Sequence, residues 1–192
     1  MMTHFLRSLA LATALINVAA TPAGAATRWD AEKNPAAISW EGLQGGNVFT
    51  GHCRTFDAAI AFDPSDLAHS SVKVTIDMGA CITGDQQKDS YLPQEGWFGV
   101  ADFPKAIFEA TSFLHQGGDK YVADGTLTLK GVTKKVELPF TLDIKGDTAH
   151  AVGETTLQRL AFGVGAGDQL SSADVAGPDV KVKIDLTATR KK

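Results

Sequence analysis

Residues 121–144, YVADGTLTLKGVTKKVELPFTLDI, constrain this chain more than any other stretch. Going in, Tyr121, Ala123, Gly125, Leu127 and Leu129 share one parity, while Asp124, Thr126, Thr128 and Lys130 share the other. Coming out, Val136, Leu138, Phe140, Leu142 and Ile144 oppose Lys135, Glu137, Thr141, Asp143 and Lys145. Alternation with period two, repeated on both sides of a short polar link, predicts a β-hairpin with one apolar face. A turn on Val132 and Thr133, closed by Gly131 and Lys134, sets Leu129 against Val136, Leu127 against Leu138 and Gly125 against Phe140, so both apolar sets fall on one side. The link lacks the Asn-Gly pair of the tightest hairpins, which leaves its turn type open. Pro139 stands at an outward position, so its missing donor is expected at a bulge or a locally open edge.

The amino terminus reads as an address. His4 and Arg7 precede an apolar run from about Leu9 to Ala20, and Ala23-Gly24-Ala25 supplies a small-residue cleavage pattern. The run is well short of the roughly 20 residues that cross a bilayer. The expectation is a signal peptide over residues 1–25, export, and one mature domain over residues 26–192. Its removal takes away Arg7 and no acid, moving the formal charge from −4 to −5. An acidic domain with scattered lysines argues against nucleic acid as a partner, since a phosphate backbone calls for a basic face.

Further strands follow the same logic. Ile38 and Trp40 share a face in a short strand from Ala37; Ala58, Ile60 and Phe62 do so in one running from Val48 to Phe62; Val72, Val74, Ile76 and Met78 do so in its partner from Ser71 to Ile82. Pairing Phe62 with Val72 and Ile60 with Val74 and continuing that register brings Cys53 opposite Cys81. An exported chain meets an oxidising compartment, so these two are expected to form a disulfide, on the outer face by parity. More strands are expected from Lys105 to Leu114, from Ala149 to Leu157 and from Val180 to Ala188. Between them residues 83–104 break the alternation and read as short helical turns and a loop rich in bulky residues. The fold class is therefore all-β: around eight strands in an antiparallel sheet that curls up or closes, an eight-stranded barrel when closed, with a short helical segment covering one end or lying against the sheet. A barrel of that size is either filled by its side chains or holds one slender ligand.

No catalytic constellation emerges: the chain has no G-x-S-x-G, H-E-x-x-H or C-x-x-C, and an enzyme is not expected. Gly163-Val164-Gly165-Ala166-Gly167 lacks the spacing of a phosphate loop and reads as a strand end. His52, Cys53 and Cys81 have no fourth partner for a metal, so a disulfide beside an exposed histidine is the reading. No metal or tightly bound cofactor is expected. His69, His115 and His150 read as surface residues, and Asp85, Asp89, Asp102 and Glu109 as solvated acids. Arg159 has two readings, a structural one in which it bonds strand-end carbonyls and one in which it meets an anionic head group.

Several blocks together carry a family resemblance: FDAAIAFDP (56–64), SSVKVTID (70–77), TGDQQKD (83–89), WFGVADFPKAIF (97–108), DGTLTLKGVTK (124–134) and RLAFGVG (159–165). The mature chain, from about residue 27 to 189, resembles the YceI-like family of exported proteins. That resemblance implies a lipocalin-like barrel whose apolar lumen holds a polyisoprenoid or similar amphiphilic lipid, an isoprenoid quinone among them, in a periplasmic, non-enzymatic binding or transport role. It also implies a connection to cytochrome b561-type membrane proteins. On that basis Ile60, Phe62, Val74, Ile76, Leu127, Leu129, Val136, Leu138 and Phe140 are candidate lumen residues, with Trp97, Phe98 and Phe108 joining them from the covering side. The Cys53–Cys81 pair is not part of the general family pattern. Alternatives are a redox-linked module, in which the cysteines cycle or a quinone guest exchanges electrons, and a ligand-free stress-related scaffold. A homodimer is left open.

Overall fold

The computed structural model describes residues 26–167 and 169–192, so the signal peptide expected over residues 1–25 lies outside the described residues. Among the described residues eleven strands pair antiparallel: β1 (Arg28–Ala31), β2 (Ile38–Gln44), β3 (Asn47–Cys53), β4 (Phe56–Ala61), β5 (Ser71–Asp77), β6 (Cys81–Ile82), β7 (Lys105–Gly117), β8 (Lys120–Leu129), β9 (Val132–Lys145), β10 (Thr148–Gln158) and β11 (Asp179–Arg190). The sheet order is β1-β4-β5-β7-β8-β9-β10-β11-β2-β3-β6, and a β1–β11 pairing closes the first eight into a barrel. Closure removes the exposed edges that an open sheet would present. One short helix, α1 (Gln86–Tyr91), is capped by Asp85, whose carboxylate accepts from the amides of Gln87 and Lys88.

The closing strand was missed by alternation because it is only four residues long, yet its Trp29 is buried and its indole donates to the carbonyl oxygen of Phe62 at 2.9 Å. The long strands expected over residues 48–62 and 71–82 are each broken in two. Arg54 and Thr55 interrupt the first, and a 3-10 turn at Met78–Ala80 interrupts the second. Consequently β4 and β5 pair Ile60 with Val72 and Ala58 with Val74, two residues away from the expected register, while Cys53 still faces Cys81 across β3 and β6. Both breaks also reverse the parity. The disulfide is therefore buried beside Met78 and Ala106 rather than on the outer face, with Trp40, Phe98 and Leu129 packed around it.

The β8–β9 hairpin keeps its apolar face but changes its turn. Leu129 pairs with Val132, Gly125 with Val136 and Tyr121 with Phe140, so the two-residue loop is Lys130-Gly131, at φ 49° and 75°. Positive φ at both central positions is the type I′ geometry whose twist matches that of the flanking strands. A slip of four residues preserves side-chain parity, which is why the alternation alone could not exclude the longer loop. A Cβ on Gly131 would lie 2.6 Å from the Phe103 ring in a backbone conformation that side chains disfavour. Gly131→Ala is expected to destabilise the protein by roughly 1–3 kcal/mol, read as a lowered urea midpoint with unchanged slope.

Candidate functional site

Inward-facing side chains of the barrel leave a cavity of about 180 Å³ at its centre. Its wall is apolar except for Thr155. For scale, an engineered void of about 150 Å³ with a similar lining stays dry and takes up benzene. Of the twelve lumen candidates, Ile60, Phe62, Val74, Ile76, Phe108, Leu127, Val136, Leu138 and Phe140 line it. Trp97, Phe98 and Leu129 do not. Leu129 packs near the barrel end between the disulfide cluster and the Phe162 cluster, and Trp97 and Phe98 lie in the covering segment. Residues outside those twelve complete the wall, notably Trp29, Ile38, Phe56 and Phe113 and the inward set of β11, Val182, Ile184 and Leu186. The β11 set was visible as an alternating face; Trp29 gave no such signal because its strand is too short to alternate.

Packed rings lie at both barrel ends. At one end Phe62 meets Phe113, Tyr121 and Phe140 edge-on, at centroid distances of 5.1, 5.7 and 6.1 Å. Such edge-to-face contacts add to the area the rings bury. His115 stacks on the far side of Tyr121 at 4.7 Å. At the other end Phe162 and Val164 are buried against Leu127, with Phe108, Val136 and Leu157 around them and Trp97 and Phe98 beyond. The covering loop is tied down there by Lys130, whose ammonium donates to the Gly163 carbonyl at 2.8 Å. Burial lowers the pKa of that ammonium, and the nearby charge of Glu95 works the other way.

Arg159 organises this closed end. Its side chain is buried and spends all five N–H donors on backbone carbonyls: Nε on Gly177, Nη1 on Val164 and Gly165, Nη2 on Leu170 and Ala176, at 2.7 to 3.0 Å. The guanidinium fork can satisfy several fixed acceptors at once in a way that an ammonium cannot. Gly165 must be glycine for this, since a Cβ there would sit 2.3 Å from Nη1. Burial draws the Arg159 pKa down from its ordinary value. With no donor left over, the head-group contact considered for Arg159 is replaced by a structural role, and the glycine run 163–167 is the collar it holds.

Other polar candidates have partners of their own. His69 bonds Asp66 and His150 bonds Asp185, both at 2.8 Å on the surface. Asp89 accepts from the amide and hydroxyl of Thr83 and the amide of Gly84. Burial of Asp89 opposes ionisation, but those donors outweigh it and hold its pKa below the usual carboxylate range. Because Cys53 and Cys81 are bonded to each other, neither is a thiolate ligand for a metal beside His52.

A closed antiparallel barrel around an apolar cavity is the arrangement to which relatives can be compared. A family model described as the YceI-like domain matches residues 29–188. The chain belongs to the YceI-like family. Among curated relatives, a UPF0312 protein of Photorhabdus laumondii is 31% identical over 133 residues, which is 65% of this chain and 69% of that protein. UPF0312 proteins of Yersinia are matched over half of their own length. Among solved structures, Burkholderia cenocepacia BcnA is 30% identical with a TM-score of 0.76, covering 79% of this chain and 95% of BcnA. A polyisoprenoid binding domain from Saccharophagus degradans, implicated in plant cell wall breakdown, is 13% identical with a TM-score of 0.69 over 86% of this chain and 99% of that one, and shares the fold.

Proposed function

We propose that this YceI-like protein is a binder of amphiphilic lipids, most simply polyisoprenoids, which it carries with the tail in the barrel and without chemical change. The observation that carries this is the apolar void itself. Unfilled space of this size leaves surrounding side chains short of dispersion contacts, a cost that a guest chain offsets. Each methylene the guest buries contributes about 0.8 kcal/mol, so affinity needs no charged anchor. The polyisoprenoid-binding domain that shares the fold supports the same class of guest. A disulfide suits an oxidising compartment, and the periplasm is the proposed site of action.

Native mass spectrometry of the protein, followed by solvent extraction, tests this. A hydrophobic passenger is expected, together with stoichiometric uptake of geranylgeraniol after delipidation. A protein that carries no passenger and takes up no such alcohol would be the ligand-free scaffold instead. The redox reading survives in a narrower form, as exchange by a quinone guest with a membrane cytochrome. Cycling of the cysteines is disfavoured by their burial behind Trp40 and Phe98.

A further inference from the structure

The barrel wall is not laced throughout. β10 pairs with β11 along its whole length, to Gln158 opposite Asp179, and β9 pairs with β8 down to the Lys130-Gly131 turn. Between β9 and β10, by contrast, the ladder runs only from Lys145 opposite Thr148 to Phe140 opposite Gly153 and then stops. The next residue of β9 is Pro139. The amide of Leu142 donates toward the β7–β8 turn, to Asp119, so even-numbered amides of β9 point to β8 and odd-numbered ones to β10. Pro139 thus removes a donor at the first position where the ladder would continue, and the two strands part.

The strands diverge around a cleft of about 840 Å³, bounded by Lys134 to Glu137 and Pro139 on one side, Glu154 to Gln158 on the other, and Ala161 and Phe162 at its foot. Five residues of β10 give it a height of about 17 Å. The cleft shares Val136, Thr155 and Leu157 with the lumen, so the same side chains face both spaces. Thr155, the polar member of the lumen wall among the described residues, stands at this junction. Where β11 passes from β1 to β2, by contrast, backbone bonds continue, from Glu32 to the Thr187 carbonyl and from Asp185 to the Ala37 carbonyl, and Ala37, Ile38 and Phe56 are buried beside them.

With rings packed at both ends and the ladder interrupted between β9 and β10, we infer that the β9–β10 cleft is the door of the barrel, and that an amphiphile enters sideways, tail first, and leaves its polar end at Thr155 in the cleft. This inference rests on the lipid-binding reading and adds the route and the polar subsite. The rim carries Asp124, Glu137 and Glu154 against Lys134 and Lys135, and Lys181 pairs with Glu154 at 3.6 Å. Its charges balance and it contains no arginine, so it suits an uncharged hydrogen-bonding end, such as an alcohol, better than a diphosphate.

The test bridges the cleft from outside. Glu137 and Thr156 are exposed on facing strands. A Glu137→Cys/Thr156→Cys protein, delipidated and joined by a bismaleimide, is mixed with 11-(dansylamino)undecanol, and energy transfer from tryptophan follows uptake by stopped flow. Asp143→Cys/His150→Cys capped with N-ethylmaleimide, in the paired part of the same two strands, is a control, as is Gly118→Cys carrying a bulky maleimide at the β7–β8 turn. Uptake and release at least tenfold slower in the bridged protein alone are expected, with circular dichroism unchanged. Equal rates in bridged and control proteins overturn the side door, as does slowing confined to the Gly118 adduct. Failure of the unbridged protein to take up the probe at all overturns the lipid-binding reading along with it.

Discussion

Replacing Arg159 with methionine is expected to lower the stability of the protein by about 3–5 kcal/mol, because it strands acceptors that only this side chain reaches. Methionine restores much of the volume but none of the five donors, and the carbonyls of Val164, Gly165, Leu170, Ala176 and Gly177 lose their common partner. In a domain of this size the loss corresponds to a melting temperature lower by about 10 °C. Arg159→Lys is expected to recover only a minor part, since three donors on a flexible stem cannot address five fixed acceptors. Limited proteolysis provides the second reading: cleavage should appear within residues 163–178 of the methionine variant at temperatures where the parent is uncut. A methionine variant with parental melting behaviour and no new cleavage would show that the collar does not depend on the guanidinium. Phe162 and Val164 sit in the same collar, so loosening it should also open that end of the lumen.

Breaking the Cys53–Cys81 bond has a comparable expected effect by a different route. The bridge closes a loop with a sequence separation of 28 residues. On the chain-entropy model that constraint is worth about 3–4 kcal/mol, exerted through the unfolded state. A Cys53→Ala/Cys81→Ala protein should therefore unfold at a lower urea concentration than the parent, and the parent measured in reductant after unfolding should match it. The native bond itself should resist reductant while the protein is folded, since Trp40, Phe98 and Leu129 pack over it. Identical midpoints for oxidised parent and double variant would exclude a stabilising role. Rapid native-state reduction would instead revive a thiol-cycling function.

The places where expectation and structure differ share one cause. Parity is a local property: Leu127, Val136, Leu138 and Phe140 face inward in the observed hairpin as they do in the longer-looped alternative, because the two differ by an even number of residues. Register is decided by the Lys130-Gly131 turn and by Phe103, which packs on Gly131 from a segment far away in sequence. The cysteines illustrate the same point from the other side. Their pairing was anticipated from an unbroken register that does not exist, and it holds because the interruption between the paired Ile76 and Cys81 takes up two more residues than the one between Cys53 and Phe56, which makes up the two residues by which the β4–β5 register differs from the expected one.

What the amino-acid order determined by itself was which side chains share a face: alternation over β5, β8, β9 and β11 is enough to require an antiparallel sheet with one dry side, since each strand must bury one face. Pro139 even announced a local opening, because a residue without an amide hydrogen cannot extend a ladder. Tertiary structure alone decided that the side chains leave a cavity between them, that Arg159 reaches inward to a collar of carbonyls instead of outward to a ligand, and that the opening at Pro139 lies beside the lumen. Those outcomes depend on how volumes and donors from distant segments add up at one point in space, and no pattern along a single strand carries that sum.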